Sequence, residues 1–264
     1  MMRYRQAISS YVKYLLSAQT KYYLHSPFVY ELSEEVIYSH KQYYAFGAIE
    51  HLRQQLLSAP DWVEVVDLGA GSVAMGQNKQ RRVAHIARHA SVPAKVGRVL
   101  FRLIHHFKPK YVVELGTSLG ISAAYMAAAA HRNTEIHTIE GSPAIAALAA
   151  RNFAALGLNN IHQYIGNFDD QLPMLVQQLP SIDMAFIDGN HRPDATLRYF
   201  EQCLTTAKNG TFFVLDDIHW SEGMEAAWHT IQQHEAVSVT IDLYRCGIVF
   251  LRKEQAKQHF KLYF

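Results

Sequence analysis

The stretch Val112-Val113-Glu114-Leu115-Gly116-Thr117-Ser118-Leu119-Gly120-Ile121-Ser122 decides how this chain is read. An apolar strand carries a carboxylate near its end, turns through two glycines four positions apart, and opens into the alanine-rich helix 123–130. Such a strand–glycine loop–helix unit lets a ligand approach bare backbone at the positive end of a helix dipole. Many nucleotide sites use a loop of this kind, so the residues that follow carry the discrimination. Glu140 ends a second expected strand, 135–140, and is placed to accept hydrogen bonds from the two hydroxyls of a ribose. Dinucleotide folds set this acid about 20 residues on and usually show three glycines. Here the separation from Glu114 is 26 residues, Ser118 stands at the middle position, and the pattern reads E-x-G-x-x-x-G. Those departures argue for an adenosyl ligand without a pyrophosphate.

Working outward, the 264 residues suit one large domain, or a core with an N-terminal addition, and 49% apolar content supports a buried core. With 25 basic and 23 acidic residues the charge balance gives no argument for nucleic acid. Cys203 and Cys246 lie far apart and neither belongs to a C-x-x-C pair, which disfavours a disulfide framework or a structural zinc. The chain opens without a secretory signal pattern, and its longest wholly apolar stretch, 123–130, is too short to cross a bilayer. A soluble protein of a reducing cytoplasm is expected. From Leu68 to Val113 there is no acidic residue, a face that either attracts an anionic substrate or is simply solvated.

Residues 1–93 read as a helical cap with an insertion, and 94–264 as the α/β core. Tyr4, Tyr11, Tyr14, Leu15 and Leu16 recur near helical spacing, and Ser26-Pro27 supplies a cap and a first-turn proline for a helix carrying Val29, Leu32, Val36 and Ile37. This tyrosine-rich arm suits a lid, a dimerisation surface or plain packing. Val65-Val66-Asp67-Leu68-Gly69-Ala70-Gly71-Ser72 imitates a ligand loop, yet no acid follows within forty residues and no apolar helix starts there. It reads as a decoy, with 76–80 a polar loop and Ser72, Arg81 and Arg82 near a substrate mouth. Beyond it the elements alternate: helix 95–107, strand 111–115, helix 119–131, strand 135–140, a helix from Ser142-Pro143 closed by Gly157, and strand 161–165. Helix 171–179, strand 182–188, helix 193–207, strand 210–216 and helix 222–234 follow. Two last strands, 237–243 and 246–252, are joined closely enough to form an antiparallel hairpin. Alternation of this kind implies a parallel sheet covered by helices on both faces.

In open α/β sheets, ligands sit beyond the carboxyl ends of strands. Strand 182–188 ends in Asp188-Gly189-Asn190-His191 and strand 210–216 in Asp216-Asp217-Ile218-His219. Three carboxylates on neighbouring strand ends repel one another unless a cation or protons intervene. Oxygen-only ligation suits Mg²⁺ or Mn²⁺. Alternatively Asp216 and Asp217 only cap the turn before the next helix, and Asp188 serves the ligand alone.

From Ala94 to Leu251 the chain resembles the class I S-adenosylmethionine-dependent methyltransferases, and most of all their catechol-type and metal-dependent small-molecule O-methyltransferases, where a strand ending E-L-G-x-x-x-G-x-S is typical. The resemblance implies a Rossmann-like seven-stranded sheet, mostly parallel with an antiparallel C-terminal hairpin, and S-adenosylmethionine as cofactor. Carried over by position, Glu114, Gly116, Ser118, Gly120, Ser122, Glu140, Asn167, Phe168 and Asp188 hold the cofactor, with Asn167 near the adenine amine and Phe168 against its ring. Asp188, Asp216 and Asp217 become metal ligands, His191 the base that collects the acceptor proton, and His219 a second candidate. The expected partner is a small hydroxylated acceptor, with no membrane, no nucleic acid, and a homodimer through the N-terminal helices as the oligomer that suits the arm. Two competing functions remain: a nicotinamide-dependent oxidoreductase, which lacks its third glycine here, and a cofactor-binding protein without turnover.

Overall fold

The computed structural model describes residues 2–65 and 80–264. The decoy loop around Asp67, Ser72 and the polar stretch 76–79 lie outside the described residues. The chain divides into two compact units, His40–Leu179 and the combination of Met1–Ser39 with Pro180–Phe264. The N-terminal 93 residues are therefore shared between the units.

In chain order the helices are α1 (Met2–Ser17), α2 (Pro27–Leu32), α3 (Tyr44–Ser58), α4 (Val83–His89), α5 (Ala94–Phe107) and α6 (Ile121–Ala128). Then come α7 (Pro143–Ala155), α8 (Phe168–Gln178), α9 (Pro193–Leu204) and α10 (Glu222–Gln233). The strands are β1 (Trp62–Glu64), β2 (Gln80–Arg82), β3 (Tyr111–Leu115), β4 (Glu135–Glu140), β5 (Ile161–Ile165) and β6 (Ile182–Ile187). β7 (Ala207–Asp216), β8 (Val239–Asp242), β9 (Cys246–Phe250) and β10 (Gln258–Lys261) complete them.

In the His40–Leu179 unit, β3, β4 and β5 are parallel with β4 central, and the register sets Glu114 beside Thr138 and Glu140 beside Ile165. β3 is buried from Val112 to Leu115, and every residue of α6 from Ile121 to Ala127 is buried. Alanine at three of those positions lets α6 press closely on its neighbours with little side-chain entropy lost. α5 offers Val96, Val99, Leu100, Leu103 and Ile104 on one apolar face. Gly97 is required there, because a Cβ would stand 2.5 Å from the Tyr125 ring. β1 and β2 form a separate antiparallel pair, with Val63 opposite Arg81, and Arg82 lies over the Trp62 ring.

In the other unit the strand order is β6-β7-β9-β8-β10. β6 and β7 are parallel, β9 runs antiparallel between β7 and β8, and β10 adds in parallel outside β8. The terminal hairpin is thus present, but the sheet has eight strands rather than seven. The additional strand was hidden by its composition: Gln258-His259-Phe260-Lys261 has one strong β-former and lies half exposed. The chain after α1 closes its outer side, for Gln19 pairs with Leu262, donating to the Lys261 carbonyl and accepting from Tyr263 N–H. The Tyr14 hydroxyl donates to the Leu262 carbonyl, and Ser26 caps α2 by accepting from Val29 N–H. The helix expected to run on from Phe28 continues instead as a π turn, Ser33–Ile37, with Val36 and Ile37 buried as expected.

Candidate functional site

The parallel strands β3, β4 and β5 deliver their carboxyl ends to one edge, where three loops begin. Glu114 is fully buried and accepts from the Thr138 hydroxyl at 2.6 Å, the contact that the β3–β4 register dictates. Thr117 is joined in turn to Thr138 through their hydroxyls. Burial pushes the Glu114 carboxyl up to about 7, against the pull of hydrogen bonds from Ser122 and Thr138. Its Oε1 has no hydrogen-bond partner among the described residues.

After Leu115 the backbone passes through positive φ at Gly116 (103°), Ser118 (48°) and Gly120 (82°). Left-handed conformation explains the glycines. At Gly120 a second cause acts, since a Cβ would lie 2.4 Å from Phe153. Gly120 then stands at the N-cap of α6 without a side chain to cover the first-turn N–H groups. Glu140 faces this loop and is held by it. Its Oε2 accepts from Ser118 N–H and its Oε1 from Ser142 N–H, both at 2.9 Å. Ser142 occupies the N-cap of α7 as expected, but no side-chain cap bond forms there; the residue contributes its N–H to Glu140. On the third loop, Gly166 has φ 146° and Asn167 caps α8 by accepting from Asp169 N–H at 3.2 Å. Phe168 opens α8, half-buried.

The remaining residues belong to the second unit, at the carboxyl ends of β6, β7 and β8. Asp188 follows β6, and Asp216 ends β7, 4% exposed. Burial, with Asp217 adding to it, raises the Asp216 carboxyl to about 7, and a side-chain hydrogen bond from Asp188 opposes the rise. Two carboxyls so joined share a proton. Asp217 takes the left-handed conformation, φ 51°. Its Oδ1 lies 3.3 Å from Arg245 Nε and its Oδ2 4.0 Å from His191 Nε2. Burial depresses the His191 imidazole below its ordinary range despite Asp217, and Arg245 adds to the depression. The neutral imidazole is a proton acceptor. Trp220 lies beside it, ring centroids 6.3 Å apart, and is 64% exposed.

His219 stands differently. Nδ1 is 2.9 Å from Glu225 and Nε2 is 2.9 Å from Asp242, a carboxylate 3% exposed at the end of β8. Burial works against the cation here, but the two carboxylates outweigh it and raise the pKa. With both nitrogens donating, this histidine has no lone pair for a substrate proton. Ser10 of α1 donates to the same Glu225, and Tyr244 stacks on the His219 ring. The geometry is that of a clamp between α10, β8 and the N-terminal helix.

A divalent ion does not fit Asp188, Asp216 and Asp217 as they stand. The partnerless, buried Oδ1 of Asp216 suits a cation. Asp217, however, is turned to the Arg245 guanidinium, and no group of three or more potential ligands able to hold a metal is found among the described residues.

Three signals were missed in the sequence: the Thr117–Thr138–Glu114 chain, Arg245 in the hairpin link, and exposed Trp220. Only the first was readable, because equal strand registers set Thr138 beside Glu114.

An α/β sheet with a glycine loop after its first core strand and an acid ending the next is the architecture of the Rossmann-like methyltransferases. Residues 113–218 match a family model described as a methyltransferase domain. A catechol O-methyltransferase of Niastella koreensis is 35% identical over 130 residues, covering 48% of this chain and 58% of that protein. The catechol O-methyltransferase of Mus musculus is 26% identical over 192 residues, covering 61% of this chain and 71% of its own. The O-methyltransferase TomG from Streptomyces achromogenes, involved in tomaymycin synthesis and solved in complex with SAM, shares the fold with a TM-score of 0.57. Its identity is 21%, over 85% of this chain and 95% of that one. The match thus spans little more than half the length of the Niastella protein. Together these findings support a class I S-adenosylmethionine-dependent methyltransferase of the O-methyltransferase type.

Proposed function

We propose that the protein transfers a methyl group from S-adenosylmethionine to a hydroxyl of a small molecule. The observation that carries the reading is Glu140, a carboxylate ending β4 and aligned on the glycine loop by Ser118 N–H and Ser142 N–H, where a ribose would meet it. The bare loop at Gly116–Gly120 and the partnerless Glu114 Oε1 suit the amino-acid end of the same ligand. Asn167 and Phe168 are assigned to the adenine, with the Asn167 carbonyl oxygen shared with the α8 cap.

When bound, S-adenosylmethionine supplies a methyl already activated by its sulfonium, with a neutral thioether as leaving group. The chain's own residues then have two tasks. They fix the acceptor oxygen in line with the methyl carbon, which is positional catalysis, and they take the hydroxyl proton. His191, neutral and half-exposed, is assigned the proton, and the Asp217 carboxylate holds the imidazolium that results. Trp220 offers an aromatic face to the acceptor beside that base. His219 is left out of the chemistry by its two carboxylates. Mg²⁺ or Mn²⁺ on Asp188, Asp216 and Asp217 is supported by Asp216 Oδ1 alone and opposed by the Arg245 pairing, so no step is routed through a metal. A homodimer through the N-terminal helices remains a separate proposal, answered by light scattering.

Calorimetric titration with S-adenosylhomocysteine tests the reading. Glu140→Ala removes two hydrogen bonds to a charged acceptor, each worth about 1.5–3 kcal/mol, so binding should weaken at least about 100-fold. Unchanged affinity in a folded variant would refute the ribose assignment.

A further inference from the structure

Building on the methyl transfer proposed above, we infer that Arg245 selects the acceptor by taking a carboxylate carried on the same ring as the hydroxyl to be methylated. The register of β7 and β9 sets Asp216 opposite Cys246, so Asp217 and Arg245 face each other just past the strand ends. Asp217 N–H donates to the Arg245 carbonyl at 2.8 Å, which fixes the two backbones together. The side chains meet as an ion pair, Oδ1 to Nε at 3.3 Å, without a hydrogen bond between them. No N–H of the guanidinium donates to a described residue, and the side chain is 46% exposed. An arginine that only balanced Asp217 would turn its fork onto both carboxylate oxygens. Here Oδ2 is left to His191, and the terminal amino groups are left for a ligand.

The backbone is bent to present these groups. Of the five non-glycine residues with positive φ among those described, Asn190 (59°) precedes His191, Asp217 (51°) is the bridge itself, and Tyr244 (62°) precedes Arg245. Such conformations persist where the surrounding structure imposes them, and they gather at ligand sites. Trp220 N–H donates to the Asp217 carbonyl at 2.9 Å, so the exposed indole is held on the same turn. Around one aspartate therefore stand an imidazole for the hydroxyl proton, an indole face for a ring, and an open guanidinium. His191 and Arg245 approach different oxygens of Asp217, which sets the hydroxyl and the carboxylate at separated positions of the acceptor rather than on adjacent atoms. Guanidinium and carboxylate match as planar, two-pronged partners. A phosphate ester carries a second negative charge toward the neighbouring Asp216 carboxyl and fits less well. The substrate class is thus a carboxylated aromatic alcohol.

Para-hydroxybenzoate and para-hydroxybenzamide differ in charge but little in size. Each is titrated calorimetrically into the full chain, with and without S-adenosylhomocysteine, and each is assayed as methyl acceptor. The acid should bind at least about tenfold more tightly than the amide. Arg245→Gln should erase that preference, and Arg245→Lys, which keeps the charge but not the fork, should restore only part of it. Equal binding of acid and amide, or no binding of the acid, would overturn the assignment. So would an Arg245→Gln variant that weakens both ligands equally, which would make Arg245 only a brace for Asp217. The heat of S-adenosylhomocysteine binding reports separately on the methyl-transfer reading: its absence beside a retained acid preference would remove the methyl donor and leave Arg245 as the carboxylate-binding residue.

Discussion

Replacing Glu114 by glutamine should remove most of one pH-dependent contribution to stability. Glu114 is fully buried and its carboxyl is raised from 4.5 to about 7, chiefly by loss of water, with Glu140 adding to the effect. The native state therefore binds more protons than the unfolded chain between those two values. Stability from this group is full below about pH 4.5, declines as pH rises toward 7, and is absent above it. At about 1.4 kcal/mol per tenfold change, the decline amounts to about 3 kcal/mol. Urea unfolding of wild type and Glu114→Gln at pH 5 and pH 8 isolates it, since histidines titrate equally in both proteins. With a slope of about 3 kcal/mol per molar urea, the wild-type midpoint should drop by about 1 M more than that of the variant. Parallel changes in the two proteins would show that Glu114 titrates normally and that its buried setting has been misjudged.

Gly120→Ala meets both a left-handed backbone and the Phe153 ring, and should cost about 2–4 kcal/mol in thermal unfolding; a second change, Phe153→Leu, should recover only the steric part. His191→Gln should lower kcat by about 100-fold or more while S-adenosylhomocysteine affinity stays within twofold; a matching loss of affinity would move His191 from proton transfer to cofactor binding. Dialysis against EDTA should leave activity intact, because Arg245 neutralises Asp217; loss of activity restored by Mg²⁺ would show that Asp217 exchanges the guanidinium for the ion.

The cofactor loop was legible because its glycines answer to local geometry. Gly116 and Gly120 adopt the conformation that their identity foretells, and β3, β4, β5 and the cap of α2 fall where pattern and capping place them. Ser118 was less transparent: a non-glycine residue at φ 48° is held by its N–H bond to Glu140, a contact no spacing announces. The roles of the two histidines could not be ranked from sequence. His219 is occupied by Glu225 and by Asp242, and the latter arrives from a strand 23 residues further on. Asp217 likewise owes its orientation to Arg245, a residue that looked like a mere link in a hairpin. Helix α6 begins two residues after the expected start at 119 because Thr117 and Gly120 close a turn first, the Gly120 N–H donating to the Thr117 carbonyl.

Gln19, Tyr14 and Leu15 are bonded to residues 261–263, and Tyr38 donates to the Tyr263 carbonyl at 2.7 Å. During translation the opening helix must wait for more than two hundred residues before its seat emerges from the ribosome. In that interval its tyrosines have no native partner, which makes the nascent arm a client for chaperones. The fold is, in effect, zipped shut where β10 and the residues after it fasten the opening arm.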